Sequence, residues 1–438
     1  MQNSVFSRQL VESIVDELKI TDLAQATIGQ VVLLASALEQ RTGIPFIRMD
    51  QGVPGLSPNQ VGIAAEKAAL DTGIAAIYPA AEGVPELKRE TSRFVKAFLN
   101  VDITPEACIP TTGSVAGSFG SFIVTSQCSP GKDTVLFIDP GFPIQKSQLK
   151  ILGVKYRQFD IFNYRGAALR DKLESFLKEG NISAIIYSNP NNPAWICLEE
   201  EELQIIGELA TQYDTIVLED LAYFAMDFRR DLSRPFEPPF QATVARYTDN
   251  YMLMLSASKI FSYAGQRMAV VCISDKLFNR RYPALAERYH RAELFRNTFT
   301  NAIMYMITSG ASHSVQFGLA AMYKAACDGQ IDFVADTMEY GRRAEKMKRL
   351  FCENGFHVVY DKDVEQPIGD GFFFTIGYPG MTSGELMREL LYYGISSITL
   401  NTTGSLQEGI RACTSRMTDE LFDILEQRLK AFKTDHPL

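Results

Sequence analysis

The central part of the chain alternates short, almost continuously apolar runs with longer stretches in which apolar residues recur at helical spacing. The runs at residues 134–138, 182–187 and 215–218 predict buried strands. The stretches at residues 167–179 and 199–213 predict helices between them. Because parallel strands joined through a helix form right-handed crossovers, this alternation predicts a mostly parallel sheet with helices on its faces.

The two ends of the chain follow a different pattern. Helical spacing of apolar residues predicts helices within residues 5–40, and residues 46–49 predict a short strand. After about residue 284 the pattern is mainly helical, and the chain then closes with short strands, an amphipathic helix and a last helix up to residue 432. We therefore predict an α/β protein with a large domain of residues 61–324 and a smaller α+β domain of residues 1–60 and 325–438.

Composition and charge narrow the class of protein. Of the 438 residues, 46% are hydrophobic and 22% are charged, as in ordinary globular proteins. A formal net charge of −9 argues against nucleic acid or an anionic membrane as the main partner, and no apolar run approaches the length of a membrane helix. The seven cysteines form no CxxC pair, and together with the lack of a signal peptide they favour reduced thiols in the cytoplasm. The four histidines are far apart, so we expect no histidine-based metal site.

The first candidate for chemistry is the segment SASKIFSYAGQR at residues 256–267, which separates two apolar runs at residues 251–255 and 268–273. It contains Lys259. A lysine between two buried strands is poorly solvated, which lowers the pKa of its amine towards reactivity. Such lysines form Schiff bases with carbonyl compounds, pyridoxal phosphate (PLP) among them. For a lone SxSK pattern, a lysine on a surface loop is the more common interpretation.

The second candidate is the glycine- and serine-rich segment TTGSVAGSFG at residues 111–120, which precedes an apolar helical pattern. It matches neither GxGxxG nor the Walker motif, so dinucleotide binding and a P-loop lose support. Glycine and serine at a helix N-terminus can still bind an anion through backbone N–H groups and the helix dipole. Taken alone, a plain helix start is as common.

Several candidate side chains follow predicted strands. They are Phe142, Asn192, Asp220, Tyr223 and Lys259. In parallel sheets, ligands bind beyond the carboxyl ends of the strands. The coincidence therefore predicts one shared site.

Eight motifs occur in order along nearly the whole chain. They are GVPG, YPAAEG followed by VPELK, TTGSVAG, DPGFP, NPNNP, EDLAY, SASK followed by GQR, and GIR. The full set in this order resembles the class I/II aminotransferases, which belong to the fold type I enzymes that use PLP. The resemblance implies a mostly parallel, seven-stranded-type sheet in the large domain and a homodimer with its active sites at the interface. It also implies amino acid and 2-oxo acid substrates.

The resemblance implies a role for each residue around the lysine. Lys259 would carry PLP as an internal aldimine and then move a proton between the substrate Cα and C4′ of the cofactor. Asp220 would keep the pyridine nitrogen protonated, so that the ring accepts electrons from Cα. Tyr223 and Asn192 would donate hydrogen bonds to the phenolic oxygen. Taken one at a time, Asp220 could equally be a helix N-cap, Tyr223 a core tyrosine and Asn192 a turn asparagine.

The same resemblance implies how the phosphate is bound. The matching residues are Gly113, Ser114 and Val115, through backbone N–H groups, and Ser256, Ser258 and Arg267, through side chains. Tyr78 resembles the family tyrosine that reaches the phosphate in the neighbouring subunit, which implies an obligate dimer.

Further residues would contact the ring or the substrate. Phe142 would stack on the cofactor, although core packing is the more common role of a single phenylalanine. Arg411 resembles the arginine that binds the substrate α-carboxylate with its planar guanidinium, although an isolated arginine is more often in a surface ion pair. Asn192 and the backbone of Gly52 or Val53 would also lie against the bound amino acid.

Two departures from the family pattern concern the substrate. NPNNP is usually followed by threonine or serine and glycine, but here Ala194 and Trp195 follow, and Trp195 is the only tryptophan. Dicarboxylate-specific relatives carry a further arginine, and residues 304–309 contain none. Arg291 and Arg296 lie somewhat upstream and stay open as alternatives.

We therefore predict a PLP-dependent aminotransferase. One alternative is a PLP enzyme of the same fold with another outcome, such as a carbon–sulfur β-lyase or a decarboxylase, because the fold does not fix the reaction. The other is a non-catalytic, aminotransferase-like ligand sensor, which is disfavoured because the N-terminal segment is short and not basic. The sequence leaves the amino donor and acceptor open.

Overall fold

The structure is a computed structural model that describes residues 3–290 and 293–438. The chain folds into two compact units. The small unit comprises Met1–Gly55, Asn191–Ile196 and Met338–Leu438, and the large unit comprises Leu56–Pro190 and Cys197–Thr337. The predicted domain boundaries at residues 60/61 and 324/325 stay a prediction. Residues 191–196, which belong to the small unit, fall within the predicted large domain.

The strands of the described residues are short in the small unit and longer in the large unit. They are β1 (Ile47–Arg48), β2 (Cys108–Thr111), β3 (Thr134–Asp139), β4 (Lys155–Asp160), β5 (Ile182–Ser188), β6 (Ile216–Leu221), β7 (Tyr251–Ser256), β8 (Ala269–Ile273), β9 (His357–Val358), β10 (Lys362–Asp363), β11 (Gln366–Pro367), β12 (Phe373–Gly377), β13 (Ile395–Ser396), β14 (Ile398–Thr399) and β15 (Ile410–Cys413).

The helices vary from single turns to the seventeen residues of the last one. They are α1 (Arg8–Glu17), α2 (Ile28–Thr42), α3 (Gln60–Asp71), α4 (Pro85–Leu99), α5 (Gly113–Thr125), α6 (Pro143–Leu152), α7 (Ala168–Leu177), α8 (Glu200–Gln212), α9 (Ala257–Ile260), α10 (Asp275–Phe278), α11 (Pro283–Tyr289), α12 (Phe295–Asn297), α13 (Tyr305–Thr308), α14 (His313–Cys327), α15 (Phe333–Thr337), α16 (Glu339–Glu353), α17 (Ser383–Tyr392) and α18 (Asp419–Asp435), with a π-helical stretch at Thr298–Met304. Among the described residues, no helix is both long and apolar enough to cross a lipid bilayer.

The large unit is built on a seven-stranded sheet with the order β2-β8-β7-β6-β5-β3-β4. Strands β3 to β7 pair in parallel, whereas β8 runs antiparallel to both β7 and β2. Every residue of β3, β5, β6 and β7 is buried, which explains their continuous apolar runs, because a parallel sheet is covered on both faces. The predicted fold, an α/β protein with a mostly parallel seven-stranded sheet, is confirmed.

Several candidate residues of the large unit lie where strands of this sheet end, at one edge of the sheet. The parallel strands β5, β6 and β7 end there at Ser188, Leu221 and Ser256. Register places Ala269, the first residue of β8, beside both Ser256 and Thr111, the last residue of β2. The connections that leave β2, β3, β5, β6 and β7 and the one that enters β8 therefore meet at the same edge, where ligands of such sheets bind.

The small unit joins the two ends of the chain. Strand β1 pairs in parallel with β13, which brings Ile47 beside Ile395. A second, antiparallel sheet has the order β14-β15-β12-β9, and β10 and β11 form a separate hairpin. Helix α2 begins with a capping box in which Thr27 and Gln30 satisfy each other's backbone N–H groups.

Two predicted elements near the sheet edge differ from the structure. Asp220 was expected just after a strand, but β6 continues through Leu221 and Asp220 lies inside it. The strand continues because its polar side chains have partners: Glu219 accepts hydrogen bonds from Thr243 Oγ1 at 2.5 Å and Val244 N at 3.2 Å. The segment at residues 111–120 does not precede the helix, since α5 begins at Gly113.

Candidate active site

The predicted site residues form two groups, one within each unit. The large unit contains Tyr78, Gly113, Ser114, Val115, Phe142, Asp220, Tyr223, Ser256, Ser258, Lys259 and Arg267; the small unit contains Gly52, Val53, Asn192 and Arg411.

Gly113 and Arg267 form a cradle at the start of α5. Gly113 has a φ of +74°, and a Cβ added there would lie 2.5 Å from Arg267 Nη2. The guanidinium therefore lies against the first turn of the helix at a position that only glycine permits. Arg267 is exposed, and its Nη1 donates to the carbonyl of Ala264 at 3.0 Å. Unsatisfied N–H groups of a first helical turn beside a guanidinium are a strong site for a phosphate.

Ser256 is the last residue of β7, and Ser258 lies in the helix that follows it, α9. Both are buried, and Ser256 Oγ accepts a hydrogen bond from the backbone N–H of Ser258 at 3.2 Å. This contact caps α9, the single helical turn that carries Lys259. Lys259 is half-buried between Ser258 and Ile260, both of which are buried. The lowered pKa expected for Lys259 stays a prediction.

Asp220 is a buried acid with two donors. Its Oδ2 accepts from Gln145 Nε2 at 3.0 Å, and its Oδ1 accepts from the N–H of Ala222 at 3.1 Å. Burial raises the pKa of Asp220 to about 6, although the hydrogen bonds from Ala222 and Gln145 lower it. A carboxylate held in this way can accept a hydrogen bond from a protonated ring nitrogen.

Gln145 was missed by the sequence analysis. It lies on α6, whose buried residues include Gln145 and Gln148, one turn apart. Gln148 Nε2 donates to the carbonyl of Val115 at 2.7 Å and its Oε1 accepts from Ser118 Oγ at 2.8 Å, so α6 also supports the first turns of α5. Two glutamines at inward positions of an amphipathic helix were the available signal, since buried amides require partners.

The acid beside Asp220 has a different environment. Successive side chains of a strand point to opposite faces, so Glu219 lies on the other side of β6. Burial raises the pKa of Glu219 to about 7, against hydrogen bonds from Thr243, Val244 and Tyr187. Its partners all come from the sheet and the segment at residues 243–244, so we interpret Glu219 as a structural acid.

The three aromatic candidates in the large unit differ in how much of each residue is exposed to solvent. Tyr223 is buried three residues after Asp220, and Phe142 is half-buried at the residue that precedes α6. Tyr78 is 88% exposed, so its side chain is in solvent rather than packed with the other residues of the large-unit group.

In the small unit, Arg411 and Asn192 are in direct contact. Arg411 is buried in β15, and its Nη1 donates to Asn192 Oδ1 at 3.1 Å. Its Nη2 donates to the carbonyl of Asp50 at 2.8 Å, and its guanidinium carbon lies 4.5 Å from the ring centroid of Phe373. An amide, a carbonyl and an aromatic face thus fix the plane of the guanidinium.

The loop that contains Gly52 and Val53 is anchored on both sides. Asp50 accepts two hydrogen bonds from Arg48, each at 2.9 Å, and one from Ser396 at 2.7 Å. Burial raises the pKa of Asp50, but the hydrogen bonds and charge of Arg48 outweigh it and hold that pKa below its usual range. The carbonyl of Val53 accepts from Ser415 Oγ at 2.5 Å, and its side chain is exposed.

Comparisons with known proteins agree with these features. The sequence profile of the family described as aminotransferase class I and II matches residues 45–429. The chain is 24% identical to an aspartate aminotransferase of Sulfolobus acidocaldarius over 277 residues, which are 61% of this chain and 66% of that protein. It is 33% identical to the glutamate–pyruvate aminotransferase AlaC of Escherichia coli over 153 residues, or 33% of this chain and 35% of that protein. The alignments thus span only part of each relative.

Solved structures show the same fold. An alanine aminotransferase from Pyrococcus furiosus superposes with a TM-score of 0.74 at 19% identity, covering 96% of this chain and 99% of that one. An aminotransferase from Mycobacterium tuberculosis gives a TM-score of 0.73 at 18% identity, covering 94% and 96%.

Proposed function

Since the chain belongs to the aminotransferases of class I and II, a family of PLP-dependent enzymes, we propose that it moves an amino group between an L-amino acid and a 2-oxo acid with PLP as cofactor. The observation that carries this proposal is at the edge of the large-unit sheet. There the strands bring together an anion cradle of Gly113 and Arg267, a lysine on α9 and a buried acid, Asp220. These are the groups that a phosphorylated pyridine aldehyde requires.

The donor set fits PLP. The cradle at α5, with the N–H groups of Ser114 and Val115, suits a doubly charged phosphate. Asp220, held by Gln145, suits the ring nitrogen. The amine of Lys259 suits the aldehyde carbon.

We assign the remaining large-unit candidates on the resemblance and their placement. Ser256 and Ser258 would donate to the phosphate, Tyr223 would donate to the phenolic oxygen, and Phe142 would lie against the ring. The role of Tyr223 is supported by its burial two residues after the end of β6, the strand that contains Asp220.

The cofactor supplies an electron sink that stabilises negative charge at the substrate Cα. Asp220 would keep the ring nitrogen of the cofactor protonated, because a buried carboxylate stabilises a positive charge on a neighbouring base. Lys259 Nζ would take the proton from the substrate Cα and deliver it to C4′ of the cofactor, so that one amine acts first as general base and then as general acid. Arg411 binds the substrate α-carboxylate, and Asn192 and the backbone of Gly52 or Val53 hold that end of the substrate.

The described residues indicate less about the side chain of the substrate than about its α-carboxylate. Of the arginines considered upstream of residues 304–309, Arg296 donates to Asn279 Oδ1 at 3.0 Å, and Arg291 lies outside the described residues. Because aspartate, glutamate–pyruvate and valine–pyruvate aminotransferases are all among the relatives, both acidic and apolar amino donors belong in the test panel.

We further propose a homodimer and a cytoplasmic location. Tyr78 is exposed together with Leu70, Ile77, Tyr305 and Met306, a set of apolar surfaces typical of a protein interface. A groove lined by Leu70, residues 74–79 and residues 312–314 lies at Tyr78. All seven cysteines are thiols, and six of them are buried, as expected for a reducing compartment.

The test is product analysis of the purified protein with PLP, one 2-oxo acid and a panel of amino acids. We expect stoichiometric exchange: one new 2-oxo acid for each amino acid formed, without ammonia. Ammonia with pyruvate from a β-substituted amino acid would instead establish a lyase, and an amine with carbon dioxide would establish a decarboxylase. Binding of amino acids without any product would favour the ligand sensor.

A further inference from the structure

Trp195 occupies a backbone conformation that is unfavourable for it. Its φ is +63°, in the left-handed region that glycine enters easily and tryptophan rarely does. The turn at residues 191–196 imposes this conformation through three hydrogen bonds. The N–H of Trp195 donates to the carbonyl of Asn191 at 3.0 Å, the N–H of Ala194 donates to Asn191 Oδ1 at 3.0 Å, and the N–H of Asn191 donates to the carbonyl of Ile196 at 2.9 Å.

The indole of Trp195 is fully buried against Gly371. A Cβ added at Gly371 would lie 2.0 Å, 2.1 Å and 2.4 Å from Trp195 Cζ2, Cε2 and Nε1. The φ of Gly371 is outside the left-handed region, so its backbone does not require glycine. The indole does. Trp195 and Gly371 are therefore a matched pair, in which one side chain fills the space that the other leaves.

The pair is linked to Arg411 through Phe373. The rings of Trp195 and Phe373 are 6.3 Å apart and meet edge to face at 69°. Phe373 of β12 faces Cys413 of β15, and Thr375 faces Arg411, so Phe373 and Arg411 are diagonal neighbours on one face of the sheet. The guanidinium lies over the Phe373 ring.

The same turn also contacts Arg411 directly. Asn192, which accepts from Arg411 Nη1, is three residues before Trp195 in the turn. The turn thus holds the guanidinium from two directions: by a hydrogen bond at its edge and, through the indole and Phe373, by an aromatic face below it. Loss of the indole would release Phe373 and the turn together.

We propose that Trp195, seated on Gly371, is a positioning residue that holds Arg411 in the orientation for binding the substrate α-carboxylate. This inference rests on the proposed function, because it assigns that carboxylate to Arg411. A guanidinium fixed before binding loses less conformational entropy when a carboxylate arrives. The tryptophan therefore acts on substrate affinity rather than on proton transfer at Lys259.

The experiment is a double-mutant cycle with Trp195→Gly, Gly371→Ala and the double variant, in the PLP-loaded enzyme. Glycine at position 195 accepts the positive φ, so Trp195→Gly removes the indole without adding backbone strain. We expect the KM for the amino donor to rise about tenfold in each single variant, with kcat within about twofold, as for a loss of carboxylate binding. Because no indole remains for it to meet, Gly371→Ala should have no further effect in the Trp195→Gly background.

Three controls separate positioning from general damage. Trp195→Phe keeps an aromatic ring in the turn and should restore most of the affinity. Gly29→Ala, on a small-unit helix where the added Cβ meets only Thr27 Oγ1 at 4.0 Å, should leave KM unchanged. Because Trp195 is the only tryptophan, its fluorescence reports on the indole alone, and Gly371→Ala should change that emission even without substrate.

The outcomes distinguish this inference from the proposed function. A normal KM in Trp195→Gly, with the cofactor bound and turnover intact, would overturn the positioning role and leave the aminotransferase assignment standing. An equal penalty of Gly371→Ala with and without the indole would overturn the matched pair. If Arg411→Ala also had a normal KM for α-carboxylates, the substrate assignment itself would fail, and the inference would fail with it.

Discussion

Replacing Gln145 by methionine should change the pH at which the protein binds PLP. Methionine has a similar length but no donor, so Asp220 loses the hydrogen bond from Gln145 Nε2 at 3.0 Å and keeps the one from Ala222. A hydrogen bond to a charged group contributes about 1.5–3 kcal/mol, which corresponds to about 1–2 pKa units. Since burial already raises the pKa of Asp220 to about 6, removing a contact that lowers it should bring that pKa to neutrality or above.

The direction of the effect follows from the charge that PLP requires. The carboxylate form of Asp220 pairs with the protonated ring nitrogen, whereas the protonated form does not. At pH 7 the Gln145→Met protein should therefore bind PLP about two- to tenfold more weakly than the wild type, and the two should converge above about pH 9, where both carboxyls are ionised. The assay is titration of the cofactor-free protein with PLP at a series of pH values.

Gln148→Met is the matched control for this experiment. Gln148 is on the same buried side of α6 but contacts Val115 and Ser118 rather than Asp220. Its replacement can weaken phosphate binding at all pH values, but it should leave the midpoint of the pH dependence unchanged. A Gln145→Met protein whose midpoint equals that of the wild type would refute the reasoning, because Gln145 would then have no influence on the ionisation of Asp220.

Three further predictions concern other residues of the site. Burial raises the pKa of Asp220 from its unfolded value of 3.8 to about 6, so the cofactor-free protein should lose about 3 kcal/mol of unfolding free energy as pH rises from 4 through about 6. Asp220→Asn should remove this part of the pH dependence, measured by urea unfolding at a series of pH values. Gly113→Ala should lower PLP affinity at least tenfold, because the added Cβ pushes Arg267 aside. Gly131→Ala, at a similar positive φ but with nothing within 4 Å of the added Cβ, should affect only stability. Equal PLP affinities of the two variants would contradict the cradle. Arg411→Ala should raise the KM for every amino donor at least a hundredfold, measured by initial rates, and unchanged values would remove Arg411 from the site.

Much of the large unit could be predicted because its information is local in the sequence. The apolar runs that became β3, β5 and β7 differ from those strands by one residue at one end. A parallel sheet buries both faces, so its strands are visible as continuous apolar runs. The order of strands along the chain then predicted that Asp220 and Lys259 lie at one edge of the sheet.

The contacts that depend on distant partners could not be predicted in the same way. Nothing in TTGSVAG states that Gly113 is needed because Arg267 lies 2.5 Å from where its Cβ would be. Gln145 supports Asp220 from a helix whose pattern indicates only an amphipathic surface. Trp195 was noticed as a departure from the family pattern, but the space that receives its indole is created by Gly371, which no motif includes.

The central claim is that Lys259 and PLP together transfer the amino group. The most direct test is an absorbance spectrum of the PLP-loaded protein as one amino acid is added without a 2-oxo acid. In the wild type we expect the visible band of the bound cofactor to disappear while one equivalent of 2-oxo acid forms, and in Lys276→Ala, an exposed lysine paired with Asp249, we expect the same. Lys259→Ala should produce no 2-oxo acid, and transfer at the wild-type rate in that variant would contradict the account.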